Sequence, residues 1–150
     1  MTPPFDRAPR GAVKLAAEIL AAAMREDWDA VRAACREIVD QYGDMGTTTL
    51  MYGLCDSVII RQGLTHGATT RPVWIDPGGR TAHGPDEVSP EARWAGQMLA
   101  ARAALDVDAC KALVDSVPDD ATFSLYLSAL ITMSALTILD FERRNIAGLS

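Results

Sequence analysis

KLAAEILAAAMREDWDAVRAACREI, residues 14–38, and RWAGQMLAARAALDVDACKALVDSV, residues 93–117, are two versions of one phrase set 79 positions apart. Residues 16–38 and 95–117 share eight identities: Ala16, Leu20, Ala21, Ala22, Asp27, Asp29, Ala30 and Ala33 recur in the second copy. Alanine bias inflates such a match, so the shared punctuation carries more weight. DWDA and DVDA fall where one helix should stop and another begin. Asp27 and Asp106 are placed to cap the following helix, since a short carboxylate accepts hydrogen bonds from amides that have no partner in the first turn. The second aspartate of each pair then sits in that turn, where negative charge suits the helix dipole.

Helical spacing extends from the repeat in both directions. Val13, Ala16, Ala17, Leu20, Ala23 and Met24 form an expected buried stripe on a first helix. Trp28, Val31, Cys35, Ile38, Val39 and Tyr42 form another, and Gly43 reads as its C-terminal stop. TTTLMYGLCDSVII, residues 47–60, then gives a third helix ending at Gly63. The second half repeats the order. Ser89-Pro90-Glu91 opens a helix striped by Trp94, Met98, Ala101 and Leu105. A shorter helix over 107–117 follows, closed by Pro118, and a long apolar one spans about 121–145.

The chain therefore reads as an all-α single domain of about six helices in two tandem three-helix units, 12–62 and 90–146, with approximate internal two-fold symmetry. The most apolar helix of each unit, its third, is expected at the centre. Between the units lies GLTHGATTRPVWIDPGGRTAHGPDEVSP, residues 63–90, too long and irregular for an ordinary connection. RPVWI is strand-like and DPGG is a turn, so this segment reads as a small β-hairpin or irregular insertion.

Composition narrows the function. With 150 residues, 49% hydrophobic and 23% charged, the chain suits a folded core. A net charge of -6 argues against a general nucleic-acid binder. Twelve of the 14 basic residues are arginine, and with the abundant alanine this points to a GC-rich bacterial genome. MTPPFDRAPRG lacks the apolar core of a signal peptide, so a cytoplasmic location is expected. Residues 121–139 carry no charge, but six are serine or threonine and the flanks are acidic. They read as a buried central helix, and no membrane span is assigned.

Catalytic patterns are missing: the chain has no GxSxG, HExxH, P-loop or GxGxxG. Cys35, Cys55, Cys110, His66 and His83 have none of the short spacings of zinc sites. Cys35 aligns with Val114 and Cys110 with Val31, so cysteine stands where a small core hydrophobe serves, and no metal or cofactor is expected.

Two sets of candidate residues remain. Arg71, Trp74, Arg80 and His83 lie in the odd segment, whose basic excess contrasts with the acidic remainder. Arginine and tryptophan are favoured at binding hot spots, which makes this a candidate recognition hairpin for an acidic partner, an unknown protein, or phosphate; the blander reading is a crossover with Trp74 tucked onto the helices. Tyr52, Asp56 and Tyr126 are the pocket candidates for the alternative, a small-molecule or anion-binding protein or enzyme with a site between the halves. The leading expectation is a non-enzymatic regulator or scaffold, a homodimer by the commonest assembly rule.

Overall fold

The computed structural model describes residues 9–61 and 88–148. Among them there is no strand; the order is α1 (Arg10–Met24), α2 (Trp28–Arg61), α3 (Pro90–Ala103), α4 (Val107–Asp115) and α5 (Asp120–Gly148). The all-α expectation holds. The expected β-hairpin and its candidates Arg71, Trp74, Arg80 and His83 lie outside the described residues.

The repeated phrase is a repeated corner. After α1 the amides of Arg25, Glu26 and Asp27 donate to the carbonyls of Ala21, Ala23 and Ala22. After α3 the amides of Ala104, Leu105 and Asp106 donate to Ala100, Arg102 and Ala101, the same bonds 79 residues on. This wraps up carbonyls that a helix end leaves without partners. It requires a left-handed residue, and Glu26 (φ 60) and Leu105 (φ 55) both supply it. Each corner then closes on its aspartate: Asp27 Oδ1 accepts from the Ala30 amide at 3.2 Å and Asp106 Oδ1 from the Ala109 amide at 3.0 Å. Equal geometry predicts equal effects. Asp27→Ala and Asp106→Ala should each lower stability by about 0.5–2 kcal/mol, with closely matched shifts in chemical denaturation. Ser89 Oγ caps α3 by accepting from the Ala92 amide at 3.3 Å.

Asp119 caps α5, accepting from the Thr122 amide at 2.7 Å, and that bond holds its carboxyl below the usual range. Because the folded state prefers the charged form, this small stabilisation is present at neutral pH. It fades as pH falls through the folded-state pKa.

Gly43 interrupts the helix where the sequence places a stop: its φ 58 and ψ -136 are non-helical, and the span Trp28–Arg61 is two helices meeting at a kink there. The break is sharp enough to set Gly46 against the Ile38 carbonyl, eight residues back, which an unbroken helix would hold far apart. α2 thus consists of a 28–42 arm and a 44–61 arm, and α1 packs along it.

The core confirms helical burial but moves its faces. α1 buries Ala12, Leu15, Ala16, Ile19, Ala22 and Ala23, one step round from the expected stripe, leaving Ala17 exposed and Val13, Leu20 and Met24 half-buried. The 44–61 arm is central, with Leu50, Met51, Leu54, Cys55, Val58 and Ile59 all buried.

α5 packs against α1, α2 and α3 and buries Leu130, Ile131, Ser134, Ala135 and Ile138, while Ala121, Ser124, Leu125, Ser128 and Leu136 are exposed. Asp120–Arg143 is long and apolar enough to cross a membrane by length and composition. The expected central helix therefore packs among three others but is buried on one face only.

Candidate functional site

Two features stand out: a charged pair inside the core and an uncovered face on α5. The first joins the halves. Asp56, from the central arm of α2, meets Arg102, near the end of α3. Nε donates to Oδ1 at 2.9 Å and a terminal guanidinium nitrogen donates to Oδ2 at 3.1 Å. Both residues are buried. The guanidinium carbon lies 4.4 Å from the centre of the Tyr52 ring, one turn before Asp56, so the cation is held by a carboxylate and by an aromatic face. Burial alone would draw the Arg102 pKa down; the hydrogen bonds and charge of Asp56 outweigh it, and the net direction is up. Burial pushes the Tyr52 phenol up, although Arg102 pulls the other way.

Tyr52 and Asp56 are thus brought together, as the pocket reading requires, but their main partner is Arg102, which the sequence reading did not select. A clue existed. Trp94, Met98 and Arg102 recur every fourth residue, placing an arginine on an apolar stripe, just as Asp56 interrupts the stripe of α2. Opposite charges on two apolar faces point to each other. Tyr126 belongs to another cluster. It packs on Trp94 with ring centres 5.6 Å apart, while Phe123 meets the same indole edge-on at 6.2 Å. The indole N–H donates to the Leu113 carbonyl at 2.9 Å, so this group is a satisfied packing unit.

On one side of Asp56 lies a groove of about 290 Å³ between α1 and the 44–61 arm, lined by Val13, Ala17, Leu20, Gly53 and Ile60. Its polar content is slight. A carboxylate held by a fork of guanidinium donors is poorly placed to act as a base or to take up a cation, and the Ser57 hydroxyl donates to the Gly53 carbonyl at 2.8 Å. The arrangement holds the protein together more readily than it does chemistry.

The cysteines follow the same pattern. Cys55 and Cys110 are buried and Cys35 is half-buried, with all three thiols pushed up by burial. Reactivity belongs to the thiolate, so all three should react slowly with a thiol reagent in the native state. Cys35 should lead, Cys55 should wait for unfolding, and three equivalents should titrate in denaturant. Fast labelling of Cys55 would contradict its placement.

The uncovered face is the more unusual feature. Along α5, Ala121, Leu125, Ser128, Thr132 and Leu136 follow one another at helical spacing, and Leu125 and Leu136 are each 53% exposed. Between this strip and the 28–42 arm runs a groove of about 440 Å³. Ser128 and Thr132 form one wall, Trp28, Arg32 and Arg36 the other, and Val31, Cys35 and Ile131 lie deeper. Trp28 is 39% and Val39 50% exposed on the same side of the arm. Comparison with protein-family models, curated proteins and solved structures gives no match for this chain. The reading must come from this geometry.

Proposed function

We propose that the protein is a non-enzymatic, cytoplasmic regulator or scaffold that works through protein–protein contact, and that the α2–α5 face is its contact surface. One observation carries the reading: a helix with an uncharged, leucine-bearing strip in the open, beside a groove containing tryptophan and arginine. Leu125 and Leu136 on α5 face the same groove side as the exposed Trp28 and Val39 of the 28–42 arm. Contiguous exposed apolar surface marks contact sites, whereas singly scattered residues need no explanation. Tryptophan and arginine are the residue types most enriched among contacts that dominate binding. The alternative, a ligand or catalytic site between the halves, finds less support, because Asp56, Tyr52 and Tyr126 are engaged in packing.

We also propose that the architecture is two tandem three-helix units with approximate internal two-fold symmetry. The two arms of α2 then serve as second and third helices of the first unit, and the matched corners support this. Homodimerisation and a role for Arg71, Trp74, Arg80 and His83 in recognition remain part of the proposal. Light scattering at high micromolar concentration tests the first, and replacing residues 66–83 with a short Gly/Ser linker tests the second.

The contact surface is tested by a photocrosslinking residue placed at position 125 or 132, with exposed position 18 of α1 as the control, in cells of the native host. Discrete protein adducts at 125 and 132, and none at 18, are expected. Equal labelling at all three positions would overturn the reading.

A further inference from the structure

The open groove also has a charge character. Trp28, Arg32 and Arg36 succeed each other at four-residue intervals along the 28–42 arm, so the tryptophan and both cations stand along one wall. Arg32 pairs with Asp29 one turn earlier, in a contact exposed at both ends and therefore weak and exchangeable. Arg36 has no carboxylate partner among the described residues. The opposite wall, from Ala121 to Leu136, has no charge at all. A protein with net charge -6 thus sets two arginines beside an uncharged, partly exposed strip.

We propose that this groove binds an amphipathic helix with an acidic flank, contributed by a partner protein. The inference rests on the contact-surface reading and names the chemistry of its occupant. A groove between two packed helices accepts the ridge of a third. The apolar face of that helix would cover Leu125, Leu136, Val39 and Trp28. Its Asp or Glu residues, one turn apart, would meet Arg32 and Arg36, whose planar forks bind carboxylates two-pronged. Ser128 and Thr132 are small enough to let a helix backbone come close and polar enough to meet its side chains. A nucleic acid or anionic membrane fits less well, since both would meet the field of an acidic protein with only a local basic spot.

The test uses the full chain and labelled peptides of about 18 residues, long enough for helix. One has leucines at i, i+3, i+4 spacing with glutamates alongside; a second has lysine for glutamate; a third has the acidic composition scrambled. Fluorescence anisotropy should show binding of the acidic amphipathic peptide alone, weakening as salt is raised. Arg36→Glu and, separately, Trp28→Ala should each weaken it at least about tenfold, with far-UV circular dichroism unchanged because both side chains are partly or wholly exposed. Equal or tighter binding of the lysine peptide would overturn the proposal, as would retention of affinity in Arg36→Glu. Tighter binding to anionic vesicles or single-stranded DNA than to the peptide would also overturn it. If Leu125→Glu with Leu136→Glu turns a dimer into a monomer, the face is occupied by a second copy and the proposal falls. Adducts at position 125 together with a failed peptide series would leave the contact surface standing and remove only the acidic helix.

Discussion

Replacing Arg102 with alanine should cost about 3–5 kcal/mol of stability, because Asp56 would keep its buried position and lose the cation that neutralises it. That is a large part of the 5–15 kcal/mol that typically holds a domain together, so the variant should melt far below the parent or fail to fold at ambient temperature. The mechanism makes the effect separable from simple loss of bulk. Arg102→Lys keeps the charge but gives up the two-pronged contact and the guanidinium's place over the Tyr52 ring, and should fall between parent and alanine variant. Asp56→Leu combined with Arg102→Met removes both charges at similar volume. It should recover most of the loss, since a buried pair often does no better than well-packed apolar residues. A double variant as unstable as Arg102→Ala would show that shape, and not charge, is what the site needs.

The second large effect is expected at the break in α2. A methyl group on Gly46 would sit 2.6 Å from the Ile38 carbonyl and 2.8 Å from Tyr42 Cβ, and no flexible side-chain tip is available to move aside. Gly46→Ala should therefore force the arms apart and cost about 1–3 kcal/mol, and Gly46→Leu more. Gly43→Ala acts differently. Nothing lies within 4 Å of its added methyl, so the penalty is purely backbone, from φ 58 and ψ -136. It should cost about 1–3 kcal/mol. The two changes press on one corner, so their effects should add incompletely, which a double-mutant cycle in urea would measure.

The fold class and joints were legible in the sequence because they rest on local chemistry. Asp27 and Asp106 cap where their spacing says, and Ser89-Pro90 starts α3. The left-handed residue at each corner was not legible, because Glu26 and Leu105 occupy a position where glycine is the recognisable signal. The buried face of α1 was misplaced by one step because alanine at 12, 16, 17, 22 and 23 satisfies either choice. For α5, an uncharged run records only that a helix is apolar; whether other helices cover it depends on tertiary packing. Trp28 and Val39 were read as core for the same reason, although both are substantially exposed. The Asp56–Arg102 pair spans 46 residues and involves two faces at once, so neither helix alone could disclose it.

Matched corners carry a hazard. Two joints with the same hydrogen bonds 79 residues apart hold helices that could dock against the wrong mate, or against the mate of a neighbouring chain during synthesis. The residues 79 positions from Asp56 and Arg102 are Ala135 and Ala23, both buried and neither charged. A swapped arrangement that set Asp56 against alanine would strand a carboxylate in apolar surroundings, and the matching error would strand the arginine. Correct assembly is the one that cancels both charges, so the ion pair favours the native docking of α2 on α3 over a mispaired one. Removing it with Asp56→Leu and Arg102→Met should leave a folded chain that exchanges halves more readily, visible by native mass spectrometry as added domain-swapped dimer after refolding at high concentration.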